Sequence, residues 1–429
     1  MSPRPQPTRS ACFQPDNYLD LVLFTNREDR LSDLVERLRS VLEPGARGEA
    51  RILVRGHRGV GKSILTRKAI GDAVASVGGL YVIVDGAKTG HGPDAMLKRI
   101  ARDLGREATQ NSNDPGVQKG AELLQRFSET TKVAVKDVRQ WSRSLQLGAS
   151  IRSKLIESVQ IDFGITGALS RTRTVEESYE RVVDADFLKD KVQDFLTDCR
   201  HAGDRVVLFV DNLDQVGYAE LGEDVRRVND IAKAIGFDDC VVVANLRTEF
   251  YSTDLRKLYA TEVDVPGLSP EELVRIAKTR MATVSPERQL ALREAGFDAL
   301  CEKLSSWTTN AWGYLCWLAD LDYERIDFSP DDDDKLRDAL LRISEKHFAG
   351  LRREELLRVA AAFKNGPTEF LTALELDFHG LTKEVLERAI RYGAIIPDLL
   401  LSPDRYVLSP ALHFLCAHAG AAPAGAPAA

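Results

Sequence analysis

An α/β fold, with a parallel sheet covered by helices on both faces and helical units after it, is predicted for this chain of 429 residues. Three observations lead there. Short β-branched apolar runs alternate with stretches of helical periodicity. Those runs are apolar throughout, as suits strands buried on both faces. The first of them runs directly into a glycine-rich turn that opens a helical pattern.

In chain order the strand candidates are RILV (51–54), LYVIVD (80–85), VVLFVD (206–211), CVVVAN (240–245) and TEVDV (261–265). Residues 86–205 are too many for one crossover. They contain helical patterns at Asp94–Leu104 and Gly120–Phe127, then alternating segments at 144–151 and 159–169 that read as a β-hairpin on the sheet's rim. A helix over Asp186–Cys199 leads back into VVLFVD. The first domain is therefore expected over 18–265, with an insertion at about 86–185.

Helices follow at Ser269–Met281, Ser285–Ala295, Phe297–Leu304 and Ala311–Leu321, giving a helical lid over 266–328. The acidic run SPDDDDK (329–335) reads as a solvated linker. Residues 336–416 form a further mainly helical unit, closed by the strand-like pair AIIPDLLL and RYVLSP. The Pro-rich, polar segment 1–17 and the Ala/Pro/Gly segment 420–429 are expected to lack fixed structure.

Composition is that of a soluble globular protein, with 44% hydrophobic and 29% charged residues. A net charge of -7 means that any DNA-binding face must be a local basic patch. No apolar run reaches the roughly 18 residues of a membrane span, and residues 1–20 hold no apolar signal segment. A cytoplasmic location follows as an expectation. The six cysteines contain no C-x-x-C pair, and they read as reduced thiols.

The chemistry starts at GHRGVGKS (56–63), which matches G-x-x-x-x-G-K-[ST] between a strand and a helix. Gly56, Gly59 and Gly61 let backbone N–H groups converge on phosphate oxygens, with the positive end of the following helix aimed at the same anion. Gly56, His57, Arg58, Gly59, Val60, Gly61, Lys62, Ser63 and Ile64 are the nucleotide-binding candidates. In such a P-loop, Lys62 reaches the β- and γ-phosphates and the Ser63 hydroxyl ligates magnesium. ATP with Mg2+ is the expected ligand. VVLFVDNLD supplies a second metal carboxylate, Asp211, as Walker B residue, with Asp214 three positions on. Asn245, ending the CVVVAN strand, can lie beside the γ-phosphate or simply open a loop.

With these motifs in order, the chain resembles the origin-recognition-type AAA+ ATPases and their STAND relatives. FTNREDRLSDLVERL (24–38) is similar to the box that precedes their P-loop, with Asn26 where those proteins carry Gly. VPGLSPEELVRIAKTRM (265–281) is similar to the start of their lid, and the likeness runs from Phe24 to Asp320. It implies that Asn245 is the sensor 1 residue and that Arg256 is an arginine finger reaching a neighbouring subunit. It also implies an acidic residue after Asp211, where this chain has Asn212, and a basic sensor 2 near Trp312, where it has none. An amide positions water without accepting its proton, so hydrolysis is expected to be slow unless Asp214 acts as base.

Residues 381–415 resemble the helix and wing of a winged-helix domain. They carry Lys383, Arg388, Arg391 and Arg405 against Glu384, Glu387, Asp398 and Asp404, a neutral balance that suits protein contact better than phosphate contact. The expected function is an ATP-dependent switch with slow hydrolysis that self-associates or holds a protein partner. Two rival readings are a DNA-binding ATPase in replication initiation, transposition or anti-phage defence, and a non-hydrolysing ATP-bound scaffold.

Overall fold

The computed structural model describes residues 13, 24, 27–43, 50–57, 59–89, 92–130, 132–134, 180–215, 221–282, 296–324, 332–363, 371–397, 405–409 and 412–416. In chain order the first seven strands are β1 (Ala50–Gly56), β2 (Leu80–Asp85), β3 (Lys132–Ala134), β4 (Glu180–Val182), β5 (Val206–Asp211), β6 (Val241–Arg247) and β7 (Thr261–Asp264). Five of them form one sheet in the order β2-β5-β6-β1-β7, all paired in parallel. β5 and β6 are buried along their whole length, their apolar runs VVLFV and VVVA filling both faces ahead of buried polar residues at the C-terminal ends.

Side chains alternate between two cores with the period of a strand. Val207 and Phe209 of β5 and Val241 and Val243 of β6 face the cluster that contains α1 (Glu28–Leu42) and α2 (Lys62–Val77). Leu208, Val210, Val242 and Ala244 face the opposite cluster, built from α3 (Pro93–Asn111), α4 (Pro115–Glu129), α5 (Ala185–Ala202) and α6 (Leu221–Ala234). α3 buries Met96, Leu97, Ile100, Ala101, Leu104 and Ala108, one stripe at helical spacing. Asp114 caps α4 by accepting the N–H groups of Gly116 and Val117 at 2.7 and 3.0 Å.

Beyond α4 the chain leaves through β3 and returns through β4, an antiparallel pair that sequence pattern did not announce in three-residue strands. The hairpin expected at 144–151 and 159–169 lies outside the described residues, as does the helix expected at Ser285–Ala295.

After β6 come α7 (Thr253–Leu258) and β7, then the lid helices α8 (Pro270–Ala282), α9 (Phe297–Ser305) and α10 (Ala311–Glu324). The last unit holds α11 (Asp333–His347), α12 (Arg353–Ala362), β8 (Leu371–Thr372), α13 (Ala373–Phe378), α14 (Lys383–Arg391), β9 (Ile395–Pro397), β10 (Arg405–Leu408) and α15 (His413–Cys416). β8, β10 and β9 form a small antiparallel sheet in that order.

Three expectations change here. The acidic run is not a linker through its second half: Asp332 accepts the Lys335 N–H at 3.1 Å as the N-cap of α11, with Asp333 and Asp334 in its first turn. Carboxylates at that end of a helix are stabilised by its dipole. Lid and C-terminal unit share one hydrophobic cluster, running from Leu268 through Trp317 to Phe414. The same cluster buries Phe13, whose ring lies 6.2 Å from that of Phe297, inside the segment expected to lack structure. A single aromatic anchor is invisible in a polar composition. Among the described residues, no helix is long and apolar enough to cross a membrane.

Candidate nucleotide site

The parallel sheet brings the C-terminal ends of its strands to one edge, where loops and helix N-termini gather. β6 lies between β1 and β5, so its terminal residues separate the P-loop from Asp211. Register sets Asp85 beside Asp211, and Arg247 beside Gly56.

The loop leaves β1 at Gly56 and enters α2 at Lys62. Gly59 (φ 78°) and Gly61 (φ 94°) adopt left-handed backbone that side-chain-bearing residues avoid. Gly61 is the N-cap of α2 and supplies no side chain to its first-turn N–H groups; no acidic residue stands in that turn. The space around Gly61 is open, with nothing within 4 Å of where a Cβ would lie. An open cradle of uncapped N–H groups fits a phosphate. Lys62 Nζ lies within the loop, donating to the carbonyls of Gly56 and His57 at 2.7 and 2.9 Å. Val60 is buried in the sheet-side core and Ile64 is half-buried. Arg58 lies outside the described residues.

The two residues expected to hold magnesium meet. Ser63 Oγ donates to Asp211 Oδ1 at 2.7 Å, joining a hydroxyl of α2 to the carboxylate that ends β5. Hydroxyl and carboxylate are the hard oxygen donors that magnesium takes alongside phosphate, so the pair fits the metal. Asn245, buried at 1% exposure, bridges the two elements: Thr66 Oγ1 donates to its Oδ1 at 2.9 Å, and its Nδ2 donates to Asp211 Oδ1 at 3.1 Å. Arg67 Nη2 donates to the other oxygen, Oδ2, at 3.3 Å. Burial pushes the nearby Tyr81 phenol up to about 12, with Arg67 pulling it down and Asp211 adding to the rise.

Asn212 departs from strand geometry. Its φ of 54° is left-handed, a region that Asn tolerates better than most residues, and its Nδ2 donates to Asp85 Oδ1 at 2.9 Å. Asp214 is buried against Arg247, whose backbone N–H donates to Oδ1 at 3.1 Å and whose Nε donates to Oδ2. Its carboxylate is thus engaged as a clamp between the turn after β5 and the end of β6. Arg256 is exposed in the last turn of α7, just before the edge strand β7.

The lid reaches the loop directly. The Trp312 N–H donates to Gly59 O at 2.9 Å, and a Cβ at Gly59 would lie 2.2 Å from Asn310 Oδ1. The Trp312 ring stands edge-on to His347 of α11, at 5.2 Å. His413 Nε2 of α15 donates to the Leu408 carbonyl (3.2 Å), and burial first, with His57 contributing, lowers its pKa to about 4.

Of the candidates read from sequence, the fold brings Ser63, Asp211 and Asn245 into contact, with Lys62 beside Ser63 in the loop. Sequence reasoning missed Thr66, Arg67, Arg247 and Asn310. Two carried a local signal: Arg67 follows Ser63 by four residues on one helix face, and Arg247 follows Asn245 by two on one strand face.

The AAA ATPase domain family matches residues 27–224. No curated protein matches. Among solved structures, the Walker-type ATPase of Pyrococcus abyssi is 13% identical, covers 92% of this chain and 96% of its own, and has a TM-score of 0.41. The Aeropyrum pernix ORC2 protein is 11% identical over 96% of this chain and 99% of its own, at 0.40. The Thermotoga maritima RuvB Holliday junction branch migration motor is 12% identical over 92% and 95%, at 0.36. The match spans the P-loop, Ser63 and Asp211 and three strands of the sheet, β1, β2 and β5, while β6 and β7 lie beyond it: over residues 27–224 this chain is similar to the AAA ATPase domain family.

Proposed function

We propose that this chain is an ATP-dependent switch: ATP in the P-loop biases the packing of the lid and the C-terminal unit, and slow hydrolysis resets it. The observation that carries this reading is the hydrogen bond from the Trp312 N–H to Gly59 O. A loop that holds phosphate and a lid that holds the loop cannot change independently. The lid's shared core with the C-terminal unit extends that constraint to α14 and α15.

Lys62 and the uncapped N–H groups of α2 bind the phosphates; Ser63 and Asp211 hold magnesium. Magnesium, when bound, supplies positive charge against the phosphate oxygens. Asn245 orients Asp211 and Thr66 between the two elements. Slow turnover is supported by Asn212, which donates to Asp85, and by Asp214, which is engaged with Arg247. The exposed Arg256 suits a finger offered to a second copy, and self-association is part of this reading.

For the C-terminal unit we favour a protein partner over DNA. The exposed face of α14 carries Lys383 and Arg391 beside Glu384 and Glu387, so a phosphate backbone gains nothing there on balance. We place the protein in the cytoplasm.

Hydrogen exchange across the full chain, with and without ATP-Mg, tests the switch. Protection should change in the P-loop and also in α10 and α15. A change confined to residues 56–63 would leave a nucleotide-bound scaffold in place of a switch.

A further inference from the structure

We propose that Arg67 is the resident counter-cation of Asp211 and weakens the site's own hold on a divalent metal, so that nucleotide is captured with little help from magnesium. The assignment rests on the nucleotide-binding reading above and sharpens it.

Arg67 lies one helical turn beyond Ser63 on α2, so both side chains reach the end of β5 from the same face. Its Nη2 is 3.3 Å from Asp211 Oδ2, with the Arg67 side chain 14% exposed and that of Asp211 3%. The guanidinium carbon stands 5.9 Å from the centre of the Phe209 ring, which shields the pair on the core side. The other oxygen, Oδ1, accepts from Ser63 Oγ, Asn245 Nδ2 and the Asn212 N–H. Every face of this carboxylate is therefore used by the protein itself.

The electrostatic consequence follows from charge. A guanidinium keeps its proton at all working pH values and is weakly hydrated, which suits a partly buried pair. Arg67 and Asp211 together carry no net charge, so the donor set of Ser63 and Asp211 offers a divalent cation a neutral environment rather than an anionic one. A cation beside a ligand oxygen both repels the metal and occupies a lone pair that the metal or its water would use. Phosphate binding is affected differently, because Lys62 and the α2 N-terminus supply its positive charge without the metal.

The experiment compares the full-length wild type with Arg67→Gln and Arg67→Lys, each bound to a non-hydrolysable ATP analogue. Free Mn2+ is followed by electron paramagnetic resonance, and analogue affinity by fluorescence in EDTA and in Mg2+. Arg67→Gln should bind Mn2+ at least roughly tenfold more tightly than wild type, the scale of one unit charge about 6 Å from a divalent metal even at the dielectric of water, about 80. Arg67→Lys, which keeps the charge, should remain at the wild-type value. Equal or weaker Mn2+ binding by a folded Arg67→Gln that still holds the analogue overturns the assignment. Should that variant fail to fold, the wild type decides: analogue affinity that collapses in EDTA overturns it, and affinity that persists supports it. If the wild type binds no analogue with either metal or EDTA, the nucleotide reading itself falls first.

Discussion

Arg247 and Asp214 form a buried ion pair in which one residue offers both its backbone N–H and its guanidinium Nε to a single carboxylate. The pair ties the turn after β5 to the end of β6, the strand that carries Asn245. Asp214→Asn should therefore act mainly on stability. Removing one member of a buried, hydrogen-bonded pair costs about 3–5 kcal/mol, because the remaining charge is left without its partner. Urea unfolding of wild type and variant measures it. An Asp214→Asn protein of wild-type stability that has lost ATP turnover would instead restore Asp214 to the role of base.

Asn212 has a comparable double identity. The position where the resembled ATPases carry an acid is left-handed here and directs its amide to Asp85. Asn212→Glu should not accelerate hydrolysis: it brings a second carboxylate toward Asp85 and places a longer side chain in a conformation it resists. A stability loss of about 1–2 kcal/mol is expected from the backbone alone, whereas Asn212→Gly should lose less. Single-turnover hydrolysis and thermal melts on the three proteins distinguish this from a simple missing acid.

Lys62→Ala should weaken ATP binding by roughly 10- to 100-fold, the value of one charge-assisted partner, while leaving the fold intact. The side chain donates to two loop carbonyls and belongs to no hydrophobic cluster. Titration calorimetry gives the affinity, and undiminished binding would contradict the role assigned to the loop.

Stability should respond to pH from two buried groups with opposite signs. Burial, with Asp194 adding to it, raises Asp198 to about 7, and its Oδ2 has no hydrogen-bond partner. Between the usual carboxylate range and that value the native state binds the extra proton, so this group's contribution is present at low pH and lost as pH rises through 7. His413, lowered to about 4, behaves conversely: the unfolded chain binds the extra proton below its ordinary value, so stability is lost as pH falls toward 4. Asp198→Asn should stabilise the protein at pH 8 by on the order of 1–3 kcal/mol and make little difference at pH 4. Chemical unfolding at both pH values reads the difference; a constant offset would point to packing instead.

The strands and the P-loop were legible because their signals are local. LYVIVD and VVLFVD coincide with β2 and β5 residue for residue, since each is a contiguous apolar run closed by the Asp at its C-terminal edge. The P-loop motif is contiguous and its helix begins at Lys62. The contacts that complete the site were not legible, because they join distant segments. Arg67 meets Asp211 across 144 residues, and nothing in a basic helical turn announces which carboxylate it will meet. Asp214 is equally compatible, as a letter, with a base and with a clamp. The acidic run carried a readable signal after all, an Asp ahead of a helical pattern, but charge density drew the reading toward a linker.

Phe13 has a consequence for the order in which this molecule can be made. Its ring belongs to the same core as Phe414 and Cys416, almost the whole chain away. On a ribosome, Phe13 emerges long before Phe414 and Cys416 of the same core. The nucleotide domain, whose sheet is complete at Asp264, can form while the lid is still being synthesised. The second core cannot close until residues through Cys416 have been made, and loop closure over that separation is slow compared with local packing. Phe13 therefore waits without its core while the residues between it and Phe414 are made. A protein shortened at its N-terminus would release a nucleotide domain of normal fold attached to a C-terminal core with a hole the size of a phenyl ring.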